Sequence, residues 1–310
     1  LQDAGGSEVP CQLSSLASWP DGSVKALQVA FESGPIAAED HRCFSLQYGT
    51  DVAAPATAGP IARREAGGTV VVDTGGLTAT IDGDAGSIIQ SLSLPGRRGV
   101  QLTSPLLSLE SYDGFPPRVY RSLPPEIVEV EDNGPLYACV LARGRYEAIG
   151  QEGFSYELRL GFSRDSAVIR LQHTVINTSE VPSTRLRTIS LHLPAAATGF
   201  LVGDGENHCG RLDGLCEVRI VQDHHDRYRL YHIHGDSLFR LTPADVRLVA
   251  RGKQSEGWAA AAGYVSLLVA NRYFWQQFPK ALRIRPDGVQ VDLFTCERVP
   301  FVLGSDAPFE

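Results

Sequence analysis

The sequence predicts an all-β protein, a large antiparallel β-sandwich with very little helix. Apolar and polar residues alternate with period two in stretch after stretch, and few windows hold a helical period of useful length. Gly, Pro, Asp and Asn punctuate the gaps, as tight connections between antiparallel strands require.

In chain order, the predicted strands are VKALQVAF at 24–31, TVVVDTGGLTATID at 69–82, LYACVLARGRY at 136–146 and YELRLGF at 156–162. AVIRLQHTVI at 167–176, RLRTISLHL at 185–193 and CEVRIVQ at 216–222 follow. ASWPDGSVK sets a Pro-Asp-Gly turn directly before the first of these, and GFSRDSAV reads as a tight hairpin. A shift toward Ala, Pro and Gly in GTDVAAPATAGP, residues 49–60, marks the boundary, giving units at 1–55 and 56–310. No repeat with a period of 20 to 50 residues is visible.

With 310 residues, 43% of them hydrophobic, the chain can build a real core. A net charge of −8 without any dense Lys/Arg run argues against nucleic acid or an anionic membrane as partner, so a cationic site must be local. No apolar run approaches the ~20 residues that cross a bilayer, and a soluble protein without its own anchor is expected. The chain opens LQDAGGSEVP, contains no methionine and shows no signal-peptide pattern, so a removed leader or a piece of a longer chain is expected. Cys11, Cys43, Cys139, Cys209, Cys216 and Cys296 form no C-x-x-C pair and hence no zinc ribbon. Cys209 and Cys216 flank the turn-like GRLDGL, which allows a local disulfide in an exported protein; buried free thiols are the alternative.

The densest chemistry lies between Arg272 and Lys280, where Arg272, Phe274, Trp275, two amides, Phe278, Pro279 and Lys280 share nine residues. The flanks alternate (Val265, Leu267, Val269 before; Leu282, Ile284, Val289, Val291, Leu293 after), so the cluster should join two strands. Rings stacking on a pyranose and cations pairing with a carboxylate would make it a platform for an anionic sugar, with Trp275 and Gln276 as contacts. Alternatively, Phe274, Trp275 and Phe278 are core and the cations a solvated rim.

A second polar concentration is QDHHDRYRLYHIHGD, residues 222–236. On a strand His232 and His234 project to one face, a spacing that suits a sugar groove or a metal, with solvent exposure as the plain alternative. Asp223, Asp226 and Asp236 fall in expected turns, and no carboxylate is fixed to complete a metal set. His173 and His192 read as satisfied interior or cross-strand residues, and Trp19 and Trp258 as edge packing beside turn glycines. Asn177-Thr178-Ser179 is a glycosylation triplet of a kind common by chance. There is no G-x-S-x-G elbow, P-loop or dinucleotide fingerprint.

EVPCQLSSLASWPDGSVKALQVAF, VEVEDNGPLYACVLARGRY, YELRLGFSRDSAVIRLQHTVIN and GWAAAAGYVSLLVANRYFWQQFPKAL, in this order and spacing, resemble the exo-rhamnogalacturonan lyase family, YetA-like proteins included. The resemblance implies a partial small N-terminal β-barrel to about residue 55 and a central β-sandwich beyond it. It also implies that the family's C-terminal α/α toroid is absent, the chain stopping at FVLGSDAPFE. Tyr273 stands where the family's RDFWQ pattern carries Asp. The activity implied is β-elimination on rhamnogalacturonan or another uronate polymer, which needs a cation to neutralise the carboxylate and a base to take the α-proton. Arg272 and Lys280 are the candidate neutralisers and Tyr273 the candidate base. The other class kept open is a non-catalytic carbohydrate-binding or self-associating β-sandwich. An extracellular protein with an anionic, pectin-like ligand is expected; no cofactor is required, with calcium as an optional aid.

Overall fold

The computed structural model describes residues 1–310 except 53–58, 84–86, 98, 103–105, 112–117, 149–150, 179–182, 236–242, 265, 297–300 and 305–310. Most of the Ala-rich boundary segment, Val265, Asp236 and Ser179 of the glycosylation triplet therefore lie outside the described residues.

Strand-forming alternation becomes strand almost throughout. The N-terminal part holds β1 (Gln2–Asp3), β2 (Cys11–Ser18), β3 (Val24–Phe31) and β4 (Phe44–Ser45), paired as two antiparallel ribbons, β1 with β4 and β2 with β3. The predicted Pro-Asp-Gly turn joins β2 to β3: Gly22 takes φ 86°, which a side chain disfavours, and Asp21 Oδ1 accepts from Ser23 N at 2.9 Å and Ser23 Oγ at 2.6 Å. Gln12 ties this ribbon to the rest, accepting from the amides of Leu136 and Tyr137 and donating to Asp132 Oδ1 at 3.1 Å.

A five-stranded meander follows, β5 (Ala62–Arg64), β6 (Val70–Asp73), β7 (Thr78–Ile81), β8 (Ile89–Ser93) and β9 (Val100–Gln101). Then come β10 (Leu107–Ser111), β11 (Arg118–Ser122), β12 (Ile127–Asn133), β13 (Tyr137–Ala148), β14 (Gln151–Ser163), β15 (Ile169–Asn177) and β16 (Ser183–Pro194). They are followed by β17 (Gly199–Gly203), β18 (His208–Arg211), β19 (Leu215–His224), β20 (Arg227–His234), β21 (Val246–Gly252), β22 (Trp258–Ala262) and β23 (Leu267–Ala270). β24 (Lys280–Arg285), β25 (Gly288–Thr295) and β26 (Phe301–Gly304) complete the series. Among the described residues the helix is a single 3-10 turn, Pro243–Asp245, and no helix is long and apolar enough to cross a membrane.

The large sheet runs β15-β14-β13-β11-β10-β16-β25-β24-β19-β20-β21, with β12 also paired to β13 and β26 to β16. A four-stranded sheet, β18-β17-β22-β23, packs on β24 and β25. Alternation decides what the core receives. Leu158, Leu160 and Phe162 of β14, Val218 and Ile220 of β19, Leu282 and Ile284 of β24, and Val289 and Val291 of β25 all enter one continuous core. That core also takes Val70, Val72 and Ile81 from the meander and Phe200, Ala259 and Ala261 from the small sheet. The intervening residues of β16, β25, β24 and β19 face the other way, and there the polar chemistry collects.

Candidate functional site

The 271–279 segment does connect two strands, β23 and β24, as the alternation on either side requires. Its residues divide sharply. Phe274 is a core residue, 2% exposed, seated against Gly257. A Cβ at Gly257 would come within 2.3 Å of Phe274 Cβ, and the glycine's φ of 75° and its carbonyl, which accepts from Asn271 N at 2.8 Å, fix the base of the loop. Trp275 is half-buried, Gln276 is exposed, and Phe278 is 39% exposed. Tyr273 is exposed in the left-handed region, φ 57°, with the Arg272 guanidinium 4.6 Å from its ring centre.

Lys280 does not stand in a cleft. It is 6% exposed, and Nζ donates to Asn271 Oδ1 and Gln277 Oε1, both at 3.1 Å, and reaches the Arg272 carbonyl at 3.5 Å. Burial lowers its pKa. Three oxygens of its own loop surround the ammonium, so Lys280 braces the loop from within, and only Arg272 and Tyr273 of the predicted catalytic trio face solvent.

His232 and His234 share a strand but not an environment. His234 is exposed, whereas His232 is half-buried with its ring edge-on to Phe200, centroids 5.3 Å apart, and its Nε2 sealed without a hydrogen-bond partner. Burial, then the neighbouring His234, Arg247 and His208, lower the His232 pKa. The disulfide expected between Cys209 and Cys216 is corrected: both are free thiols, as are the other four cysteines. GRLDGL is no hairpin between paired strands, because β18 belongs to the small sheet and β19 to the large one. Cys216 Sγ instead donates to the Ile233 carbonyl at 3.5 Å.

The strongest polar constellation lies on the large sheet's second face, and sequence reasoning passed over it. Strand register aligns His192 (β16) with Gln290 (β25), Gln290 with Arg283 (β24), Arg283 with Arg219 (β19), and Arg219 with Tyr231 (β20). At ~4.8 Å between strands this row is roughly 19 Å across. Beneath it lie two carboxylates, Glu217 and Asp292, both 0% exposed, while the Arg283, Arg219 and Arg285 side chains are 14%, 18% and 21% exposed. Arg285 Nε donates to Glu217 Oε2 at 2.7 Å and Arg283 Nε to Asp292 Oδ2 at 2.6 Å; Arg219 Nε pairs with Glu217 Oε1. Ser190 Oγ and Gln290 Nε2 donate to Asp292 Oδ1 at 2.8 and 2.7 Å.

Burial favours a neutral Glu217, but Arg283, Arg219 and Arg285 outweigh it and hold the carboxyl below its ordinary pKa. Burial likewise opposes the Arg283 cation, and Asp292 and Glu217 overcome it and raise the pKa. Three guanidiniums thus stand over two buried carboxylates, with Glu110 also acting on Arg283 and Asp287 on His192. Arg283 meets Asp292 through Nε and Glu217 through Nη1, and Arg285 meets Glu217 through Nε and Gln290 through Nη1, so their Nη2 ends are not used in that network. Half-buried His192 has its pKa lowered by burial, with Asp287 opposing and Arg285 adding to the effect, and is a neutral imidazole at neutral pH. The legible signal was the alternation in LRIR, VQVD and EVRI, where every second residue is polar and the charges are of both signs.

Two concavities lie elsewhere. One, of about 140 Å³, is lined mainly by apolar side chains including Leu77, Leu92, Val100 and Leu267, with Arg97 at its wall. The other, of about 390 Å³, is polar, between Arg64, Asp82, Glu126 and Glu129. Neither includes a residue singled out from the sequence as a site.

No curated protein matches the chain. Residues 61–199, from the entry into β5 to the first residue of β17, match the family model described as the PcRGLX-like protein central beta sandwich domain. That stretch includes Ser190 and His192 of the polar face and stops short of β19, β24 and β25, so this part of the chain is similar to a rhamnogalacturonan lyase-like central β-sandwich.

Proposed function

We propose that the protein engages a uronate-containing polysaccharide of the rhamnogalacturonan type along the second face of the large sheet. The observation that carries this reading is the row His192–Gln290–Arg283–Arg219–Tyr231 with Arg285 beside it, three guanidiniums gathered on one face of a chain of net charge −8 whose residues 61–199 are similar to a lyase-family sandwich. A uronate carboxylate pairs with the Nη2 ends of Arg283 and Arg285, the planar fork suiting the two oxygens. Tyr231 offers a ring to a sugar face. The same face holds the parts for β-elimination: arginine neutralises the carboxylate, and neutral His192 takes the proton alpha to it. The electron pair then forms the carbon–carbon double bond as the glycosidic oxygen leaves and is protonated. Exposed Arg272 and Tyr273 extend contact to the same ligand class. A polymer too large to cross a membrane puts the protein outside the cell.

A second reading, a self-associating module without chemistry, is favoured by one observation. The β2–β3 ribbon exposes Leu13, Leu16, Val24, Leu27 and Phe31. Light scattering over a concentration series tests it: a rising mass supports association, and a constant monomer mass removes it.

The main proposal is tested by affinity electrophoresis in rhamnogalacturonan and polygalacturonate, alongside the ultraviolet absorbance of unsaturated uronate. Retardation that weakens with salt is expected, falling about 10- to 100-fold in affinity for Arg283→Gln with Arg285→Gln, the range for lost charge-assisted hydrogen bonds. Equal retardation of the folded variant refutes the assignment to this face. An absorbance rise abolished by His192→Gln, with binding kept, supports the elimination chemistry; no rise with binding intact leaves a binding module.

A further inference from the structure

The turn between β19 and β20 gathers three metal-ligating side chains away from the arginine row. His224 ends β19, and His225 and Asp226 make the turn before Arg227 opens β20. One ligand atom from each lies within 4.8 Å of the other two. His224 Nδ1 is 2.5 Å from Asp226 Oδ1, and the two imidazole centroids are 4.2 Å apart with planes inclined at 47°. Phe278 of the 271–279 segment lies against both rings, at 5.3 Å from His224 and 6.2 Å from His225, and limits their rotation from one side.

The remaining charges of the turn are already committed. Asp223 accepts from Arg227 Nε at 2.8 Å and Nη2 at 3.1 Å, and from Arg229 Nη1 at 2.6 Å. Two guanidiniums thus occupy that carboxylate and keep it out of the His-His-Asp set. His225 and Asp226 are exposed and His224 is 46% exposed, so an ion reaches them without opening the fold.

We propose that His224, His225 and Asp226 form a binding site for a divalent transition metal, zinc, nickel or copper, with the remaining coordination positions open to water or an anionic ligand. Two imidazoles and one carboxylate are the donor set such ions favour, whereas calcium and magnesium require oxygen cages. Without metal, a hydrogen bond between His224 Nδ1 and Asp226 Oδ1 holds the two donors together. An ion bound at ~2.0–2.1 Å replaces it and moves them apart by somewhat under 1 Å, a displacement an exposed turn accommodates. The site needs neither the polysaccharide ligand nor its chemistry.

The test uses the full chain, stripped with chelator and titrated with zinc and, separately, cobalt(II). One zinc per chain is expected by calorimetry, weakened at least about tenfold in His225→Gln and in Asp226→Asn, both with unchanged melting temperatures. The cobalt complex should show d–d bands without thiolate charge transfer, because exposed Cys43 and Cys209 are the rival ligands. Unchanged zinc affinity in both variants, a thiolate band, or no binding below millimolar zinc overturns the proposal.

Discussion

Replacing Glu217 by glutamine separates the two roles of the arginine face, because it should weaken the fold and strengthen polyanion binding together. Glu217 is fully buried, accepts from Arg285 Nε at 2.7 Å and from Arg219 Nε, and lies 3.8 Å from Arg283 Nη1. Glutamine keeps the shape but removes the charge and turns an amide donor toward a guanidinium. Removing one partner of a buried ion pair costs about 3–5 kcal/mol; at roughly 2–4 °C per kcal/mol for a domain of this size, the melting temperature falls by about 6–20 °C. The network's charge becomes more positive by one unit, so retention on immobilised polygalacturonate should rise at low salt and decline more steeply as salt is added. Calorimetry and salt-gradient chromatography on the same preparation read both effects. An unchanged melting temperature would show that Glu217 is not the buried counter-ion of three arginines. A lowered melting temperature with unaltered retention in the folded protein would make the network purely structural and refute the binding face.

Acid should act through His173. Its Nε2 lies 2.8 Å from Tyr146 Oη, its Nδ1 is sealed without a partner although part of the residue is exposed, and burial lowers its pKa to about 4. The unfolded chain takes this proton near pH 6.5 and the folded chain resists it, so the contribution is intact above pH 6.5 and is lost as pH falls toward 4. The loss is at most about 3 kcal/mol. Urea midpoints between pH 7 and 4.5 should show this slope, and His173→Gln should flatten it; identical slopes would remove His173 as the cause. Lys280→Met should lower stability by about 1–3 kcal/mol and expose the 271–279 segment to limited proteolysis while leaving polysaccharide retention unchanged. Loss of retention with the fold intact would restore Lys280 as a ligand contact. Thiol titration should find six reactive groups in denaturant, with Cys43 and Cys209 reacting first in the native protein; four would mean that one pair is bridged.

Where one strand's own alternation was enough, the sequence could be read directly. Val24–Phe31 coincides with β3, and the stretches at 136–146 and 185–193 lie in or overlap β13 and β16. The same period says that Arg283 and Arg285 turn away from Leu282 and Ile284, yet it cannot say what they meet. Their neighbours come from β25 and from β19, and the order β16-β25-β24-β19 skips back and forth along the chain. The row that joins residues 192, 219, 231, 283 and 290 therefore depends on two long-range pairings, β16 with β25 and β19 with β24, which link the neighbouring pairs β24–β25 and β19–β20. In residues 272–280 local density overstated what faces solvent. Their local density of aromatic and cationic groups suggested a binding platform, but Phe274 went to the core and Lys280 to three oxygens of its own loop. A connection that buries an aromatic anchor leaves backbone and amide oxygens facing inward, and a lysine supplies the donors to satisfy them. Local charge density therefore reports how a loop is braced as readily as what it binds. A row of guanidiniums held over buried carboxylates by four strands is harder to explain by bracing alone, since well-packed apolar residues would hold those strands at least as firmly.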